Sequence, residues 1–399
     1  MTAPTGLIET PAPAAGAEPP GGARLVSLDA FRGATIALMI LVNNPGTWSA
    51  IYPPFRHAPW HGWTPTDLVF PFFLFIVGVS IVLAYRRRLE QGVPRTARLS
   101  KAAKRSAVLF ALGLLMAAYP FVTFQGGVSL FDPGTLRIPG VLQRIALCYL
   151  AVTVLFLYVR VRVQVGLGLA ILFGYWALMT LVPVPGVGPP ALEPAPATLA
   201  AWVDRTLLGQ HLWSQAGRMW DPEGVLSTFP AVVTTLIGVW TGLLLAGERD
   251  ARGKVRRMLA WGAALTVVGL AWGALFPINK SLWTSSYVLL TGGLALLLLA
   301  ATYQVTDVWG RRAPAKPLAV YGVNAITVFV ASGVLAETLG VVRVPAGEGT
   351  TSLQGWIFTN LFAPLGPAET ASLLYALVWV GGWYVVLRWM YGRGIVWKV

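Results

Sequence analysis

The chain has 399 residues, of which 56% are hydrophobic and 12% are charged, and its mean hydropathy is +0.65. Too few polar side chains remain to cover a water-soluble globule of this size, so the composition indicates an integral membrane protein and excludes an ordinary soluble enzyme. The formal net charge of +14 would suggest a nucleic-acid partner in a soluble protein. The basic residues here lie between apolar runs, and we therefore predict a lipid bilayer and no nucleic acid as a partner.

The first segment, residues 1–23, is rich in Pro, Ala and Gly. It has neither the basic start nor the apolar stretch of a signal peptide, so we predict a disordered cytoplasmic tail. The rest of the chain, residues 24–399, is predicted to form one transmembrane domain.

Ten apolar runs follow the tail, separated by polar or Pro- and Gly-rich breaks. A bilayer core of about 30 Å requires roughly 20 apolar residues per helix, and each run is close to that length. The sequence therefore predicts an all-α, polytopic integral membrane protein with about ten transmembrane helices. The predicted spans are 28–46, 66–86, 104–121, 138–160, 163–183, 225–246, 257–276, 282–303, 317–338 and 370–390.

Basic residues orient these helices, because Lys and Arg resist translocation and accumulate on the cytoplasmic side of a membrane. The connection between the second and third runs is strongly basic, with Arg86, Arg87, Arg88, Arg95, Arg98, Lys101, Lys104 and Arg105. Placing this loop inside puts both termini in the cytoplasm. We therefore predict a multi-pass protein of the cell inner (plasma) membrane.

The two longest outer segments, 47–65 and 184–224, are rich in tryptophan. Aromatic residues at that level fit an interfacial belt and also a surface on which a sugar ring stacks, and both interpretations stay open. The apolar stretch 353–365 is too short to cross a bilayer and is predicted to be a re-entrant or interfacial outer helix.

The first predicted helix carries polar residues on one face. Arg32 and Asn43 are eleven residues apart, which is about three turns plus 20°, so they share a face and are separated by about 16 Å along the axis. Asp29 precedes Arg32 by three residues and joins that face. Polar groups inside a membrane are costly, so this track is a candidate functional surface. The alternative is an Asp29–Arg32 pair at the inner end of the helix and an interhelical hydrogen bond from Asn43.

Two arginines mark the fourth predicted helix. Arg144 lies about seven residues inside its outer end, and Arg137 is one heptad earlier on the same face. A guanidinium at that depth requires an anion or several carbonyl groups as partners. Arg144 is expected either to pair with Asp67 or Glu337 or to hold a phosphate or carbonyl group of a ligand.

The three histidines, His57, His61 and His211, all lie in outer segments. The spacing of His57 and His61, with Asp67 nearby, is compatible with a metal site, but Pro59 disfavours a regular helix between them and no further histidine or cysteine ligand is evident. We therefore predict no metal. A histidine beside a membrane cavity is better suited to proton transfer, because its reference pKa is about 6.5.

Several motifs resemble one known family. They are SLDAFRGATIALMILVNNPG, FRHAPWHGWTPTDLVFPFFLFIVG, LRIPGVLQRIALCYL, DPEGVLSTFPAVVTTLIGVWTG, FPINKSLWTSSYVLLTGG and YGVNAITVFV. Together they resemble the heparan-α-glucosaminide N-acetyltransferase family and its bacterial homologues, in order and over roughly residues 24–399.

The resemblance implies an enzyme that transfers an acetyl group from cytosolic acetyl-CoA, as co-substrate, to the amine of an amino sugar at the outer face of the membrane. By similarity, His57 matches the family's catalytic histidine, Asn43 matches an asparagine that assists it, and Arg32 resembles the inner anchor for the CoA phosphates. His57 would act as a general base or as a nucleophile, and Asp67 is expected to orient either His57 or another cation. Arg144 and Arg137 are further candidates for cofactor binding.

The acceptor pocket is expected among outer aromatic and polar residues, namely Trp60, Asp221, Glu223, Asn279, Lys280 and Trp283. An acidic pair in this region would suit a protonated amino sugar. His61 stands where animal members of the family have asparagine, and Ser332 stands where some members have histidine. The acceptor is therefore expected to differ from heparan sulfate. An amino-sugar transporter without chemistry is the alternative function, and a homodimer is compatible with either.

Overall fold

The computed structural model describes residues 25–123, 129–347 and 349–397, and nearly all of these residues that form regular structure are helical. The predicted tail, residues 1–23, lies outside the described residues. The α-helices, in chain order, are α1 (Val26–Asn43), α2 (Val69–Glu90), α3 (Arg95–Ala118), α4 (Val141–Tyr158), α5 (Val161–Leu181), α6 (Leu199–Leu208), α7 (Val225–Ala246), α8 (Ala251–Trp272), α9 (Ser285–Tyr303), α10 (Lys316–Val323), α11 (Ala325–Val341), α12 (Leu353–Ile357) and α13 (Ala368–Gly392).

Seven of these helices are long and apolar enough to cross a membrane, namely α1, α2, α4, α5, α7, α9 and α13. Helices α10 and α11 together make an eighth candidate, although the chain bends by 66° between them. Helices α3 and α8 have basic first turns, which shorten their apolar stretches. The predicted all-α polytopic fold is confirmed, whereas the count of about ten spans and their orientation stay predictions.

Close packing of α2 against α7 sets the centre of the bundle. A Cβ atom on Gly78 would lie 2.0 Å from the Thr235 carbonyl oxygen, and one on Gly238 would lie 2.0 Å from the Phe75 carbonyl oxygen. Glycine at both positions therefore lets the two backbones touch, as is common between membrane helices. A buried apolar cluster surrounds this contact and extends to α9.

The β structure within the described residues consists of two short antiparallel hairpins and one isolated bridge between Val184 and Gly188. One joins β1 (Val122–Thr123) to β2 (Ser129–Leu130), and the other joins β3 (Arg343–Ala346) to β4 (Gly349–Ser352). Helix α12 follows the second hairpin and continues as a π-helical turn over Phe358–Phe362. This segment is the short helix predicted for 353–365, and it packs on the loop that follows α1, where the ring of Phe358 meets Gly46.

Three connecting segments meet beside the first residues of α2, α7 and α9. The α1–α2 loop contacts the α8–α9 loop, since the Gly62 N–H donates to the Ile278 carbonyl oxygen at 2.7 Å. It also reaches the α5–α6 connection, because the Trp60 indole N–H donates to the Leu192 carbonyl oxygen at 2.9 Å. The fold thereby gathers distant sequence motifs at one end of the bundle.

Candidate active site

A carboxylate at the start of α2 fixes the position of His57. Asp67 lies in a single 3₁₀ turn, Pro65–Leu68, that leads into α2, and its Oδ1 is 2.6 Å from His57 Nδ1. Its Oδ2 accepts hydrogen bonds from the main-chain N–H groups of Ala58 and Thr64, both at 3.0 Å. The carboxylate is 1% exposed whereas the imidazole is 47% exposed. An oriented imidazole with an accessible edge is suited to proton transfer or to attack on an acyl group.

Lys280 completes this group from the α8–α9 loop. Its Nζ is 3.1 Å from His57 Nδ1 and 3.3 Å from Nε2, and it is 3.7 Å from Asp67 Oδ1. Burial lowers the pKa of Lys280, and the charges of Asp67 and Glu223 oppose that effect. The sequence pointed to Lys280 as an acceptor-binding residue and missed its contact with the histidine.

Asn279, another predicted acceptor residue, is fully buried and fastens the loop that carries Lys280. Its Oδ1 accepts a hydrogen bond from the Leu282 N–H at 2.8 Å, and its Nδ2 is 3.3 Å from His61 Nδ1. His61 also lies 3.6 Å from Glu193 through Nε2. The two neighbouring histidines therefore have different partners, and they are held in different parts of the site.

Trp60 belongs to an aromatic cluster beside the histidines. Its ring meets Trp220 edge to face at a centroid distance of 5.3 Å, and Trp220 meets Trp213 in the same way at 5.6 Å. All three rings are half-buried. This geometry leaves part of the Trp60 surface available to a ligand, which agrees with the predicted stacking role but also with an interfacial belt.

Arg137, Asp221 and Glu223 form a closed ion cluster. The Arg137 guanidinium donates to Asp221 at 2.8 and 2.6 Å and to Glu223 at 2.6 Å, and the Asp221 side chain is 0% exposed. Burial alone would lower the pKa of Arg137, but the bond to Asp221 and the charge of Glu223 raise it. The sequence assigned the arginine to the cofactor and the two acids to the acceptor, whereas here the arginine pairs with both acids and the three side chains brace two loops.

Arg144 is 1% exposed and packs within the bundle, with its guanidinium 5.1 Å from the Trp283 ring. It donates to the Gly224 carbonyl oxygen at 3.1 Å and to the Ser227 hydroxyl. These partners differ from Asp67 and Glu337, the two carboxylates expected from the sequence. Arg144 also borders a cavity of about 370 Å³ between α3, α4 and α7.

Trp283, predicted to face the acceptor, is instead a core residue with 1% exposure. Its backbone has a φ of 52°, a left-handed conformation that is uncommon for a bulky residue. This turn directs the indole inward, where its N–H donates to the Thr234 hydroxyl at 3.1 Å. Trp283 therefore supports the site from beneath and offers no stacking surface.

Arg32 and Asn43 both lie on α1, so the predicted axial separation of about 16 Å applies to them. Arg32 donates to Asp29 at 3.1 Å and to the Ser80 hydroxyl at 2.9 Å, with a longer contact of 3.5 Å to the Gly322 carbonyl oxygen. The Asp29–Arg32 pair offered as the simpler interpretation is thus present. Asn43 is exposed at the last residue of α1.

A half-exposed histidine held by a buried aspartate, at one end of a bundle of apolar helices, defines the chain as a polytopic membrane protein with a candidate proton-transfer or acyl-accepting site. The chain belongs to the family described as Heparan-alpha-glucosaminide N-acetyltransferase, catalytic, whose sequence profile matches residues 24–272. The matched region includes His57 and Asp67 and ends before Lys280. The family predicted from the motifs is thereby confirmed.

Two curated relatives carry the name heparan-alpha-glucosaminide N-acetyltransferase. The human protein is 32% identical over 355 residues, which is 77% of this chain and 52% of that protein. The mouse protein is 31% identical over 360 residues, which is 78% of this chain and 54% of that protein. The chain therefore spans about half the length of the curated relatives it matches.

Proposed function

We propose that this chain is a membrane N-acetyltransferase that moves an acetyl group from acetyl-CoA to the amine of an amino sugar. The observation that carries the proposal is the His57–Asp67 contact of 2.6 Å in a chain of this family. Acetyl-CoA is proposed to approach from the cytoplasmic side of the inner (plasma) membrane and the acceptor from the outer side. One domain, residues 24–399, would hold both.

His57 supplies the proton chemistry in this proposal. As a general base, it takes a proton from the acceptor amine while the amine attacks the acetyl carbonyl carbon, and the CoA sulfur departs as a thiolate. As a nucleophile, its Nε2 first takes the acetyl group from the thioester and then passes it to the amine. Both routes require a neutral imidazole, and Asp67 orients the ring in either.

Other residues are proposed to bind and position the reactants. Asn43 would donate a hydrogen bond to the carbonyl oxygen as negative charge develops there, an effect typically worth about 3 kcal/mol. Arg32 and the basic first turn of α3 would hold the CoA phosphates. Trp60 would form one wall of the acceptor site. We assign Arg137, Asp221 and Glu223 to bracing the site, because their charges are already paired.

One feature favours the alternative of a transporter, namely the 66° bend between α10 and α11, since broken helices are common at transport sites. The carboxyl-terminal segment hydrogen-bonds to the residue at the bend, however. Asn324 donates to the Ile395 carbonyl oxygen at 3.1 Å and accepts from the Trp397 N–H at 3.1 Å. We therefore keep acetyl transfer as the proposed function.

The test uses purified protein in proteoliposomes with radiolabelled acetyl-CoA on one side and an amino sugar such as glucosamine on the other. Wild-type protein is compared with His57→Ala and with the control His211→Ala, which alters a loop histidine bound to the Leu136 carbonyl oxygen at 2.8 Å. We expect acetylated sugar from the wild type and the control and none from His57→Ala. Unmodified sugar crossing the bilayer equally in all three proteins would support the transporter instead.

A further inference from the structure

Lys280 faces both ring nitrogens of the proposed catalytic histidine. Its Nζ lies 3.1 and 3.3 Å from them, at a distance where an ammonium group strongly affects the charge of an imidazole. The main chain of the loop that carries the lysine is held in place, since the Asn279 N–H donates to the Thr284 hydroxyl at 3.0 Å.

The groups around this pair have opposing effects on His57. Asp67 lies 2.6 Å from Nδ1 and is nearly inaccessible to water. Its negative charge favours the imidazolium form. A charged Lys280 disfavours it, since two cations in contact repel each other. Burial opposes the charge on Lys280, and the negative charges of Asp67 and Glu223 favour it. Tyr287, from α9, donates a hydrogen bond to the main-chain carbonyl oxygen of Asp67, which leaves both carboxylate oxygens directed at the histidine and the loop.

A buried carboxylate in contact with an imidazole stabilises the charged form of the ring. A protonated imidazole has no lone pair with which to accept a proton or an acetyl group. Asp67 alone would therefore orient the ring and at the same time favour its inactive, charged form.

We propose that Lys280 is a positioning residue that keeps His57 neutral while Asp67 orients it, so that the oriented imidazole is active at neutral pH. This inference rests on the proposed role of His57 in acetyl transfer. Lys280 affects the reaction through the histidine, and its Nζ also lies 3.7 Å from Asp67 Oδ1. This role differs from the acceptor binding that the sequence suggested for Lys280.

The direct test measures the charge of His57 without any substrate. Diethyl pyrocarbonate modifies neutral imidazole, and mass spectrometry of the modified protein as a function of pH gives a separate midpoint for each of the three histidines. The quantity that decides the proposal is the difference between the His57 midpoint of the wild type and that of variants at Lys280.

Two variants separate charge from shape. Lys280→Met keeps the length of the side chain and removes its charge, so the His57 midpoint should rise by about one pH unit or more. Lys280→Arg keeps the charge and should retain the wild-type midpoint. His211 serves as the internal control for folding and reagent, and its midpoint should be the same in all three proteins. Equal His57 midpoints in the wild type and Lys280→Met would overturn the proposal.

The acetyl-transfer assay gives a second reading. The acid limb of the kcat/KM profile, where the value falls as the pH is lowered, should move to higher pH in Lys280→Met by the same amount as the modification midpoint. At a pH on this limb, kcat/KM should fall roughly tenfold for each pH unit that the limb moves. A lysine that only bound the acceptor would change KM at every pH and leave the limb in place, which would contradict the inference. Absence of acetyl transfer by the wild type would count against the proposed function, while the modification midpoints would still decide the role of Lys280.

Discussion

Replacement of Asp67 by asparagine separates the charge of this residue from its shape. Asp67 Oδ2 accepts two main-chain N–H groups at 3.0 Å, so the amide oxygen of the variant must take that position. The amide nitrogen then faces His57 Nδ1 and donates a hydrogen bond to its lone pair. The ring proton of a neutral His57 moves to Nε2, and the lone pair required for acetyl transfer is lost from the accessible nitrogen.

The size of the effect follows from the bond that is removed. The contact between His57 and Asp67 is 2.6 Å long, and a hydrogen bond to a charged group contributes about 1.5–3 kcal/mol. With the unfavourable tautomer added, we expect a loss of about 3 kcal/mol in the transition state, or roughly a hundredfold in kcat/KM. Because the ring does not bind the CoA nucleotide, the KM for acetyl-CoA should change little.

The assay is initial-rate acetyl transfer in proteoliposomes, with Asp204→Asn as the matched control. Asp204 is also a buried carboxylate, but its partner is the Val225 N–H at 2.8 Å, away from the histidine. We expect this control to stay within roughly twofold of the wild type. The reasoning is refuted if Asp67→Asn is folded and retains more than about a third of the wild-type kcat/KM.

Two further predictions concern stability. Arg137→Met should lower the free energy of unfolding by about 3 kcal/mol, because it leaves Asp221 and Glu223 without their cation. A thermal midpoint in detergent equal to that of the wild type would contradict a stabilising role of this ion cluster. Burial raises the pKa of Asp204 from 3.8 to about 7, so the folded protein binds the proton more tightly than the unfolded chain. Stability should therefore fall as pH rises from about 4 to about 7, and Asp204→Asn should weaken that dependence in thermal unfolding measured across this range.

Much of the helical framework could be predicted from apolar run length alone. The run 225–246 coincides with α7, and most others overlap their helices with shifts of a few residues at the ends. The exceptions are α3 and α8, which begin nine and six residues before their predicted runs because their first turns are basic. The break at Asn324 was not predicted, because it falls inside the continuous apolar run 317–338 and is stabilised by residues more than 70 positions away in the sequence. Helix α6 (Leu199–Leu208) was also missed, since ten residues are too few for the length criterion that detects spans.

The site was predictable where its residues are close in sequence. His57 and Asp67 are ten residues apart, and their predicted contact is present. Arg137 lies 84 residues from Asp221, and nothing in either motif indicates that they are in contact. The prediction therefore assigned the arginine to the cofactor and the carboxylates to the acceptor. Trp283 was misplaced for a different reason, because a left-handed backbone turn reverses the direction of its side chain.

The ion cluster also changes how an amino sugar would be recognised. The sequence suggested that Asp221 and Glu223 attract a protonated amine, but both carboxylates are engaged by Arg137 at 2.6 Å, and Asp67 is shared between His57 and Lys280. A protonated amine bound at His57 would also lie close to Lys280, whose Nζ is 3.1 Å from His57 Nδ1. Since attack on an acetyl group requires the amine lone pair in any case, the same lysine that keeps His57 neutral favours an acceptor amine that has already lost its proton. Binding of the acceptor then depends on the Trp60 ring and on the sugar hydroxyl groups more than on charge.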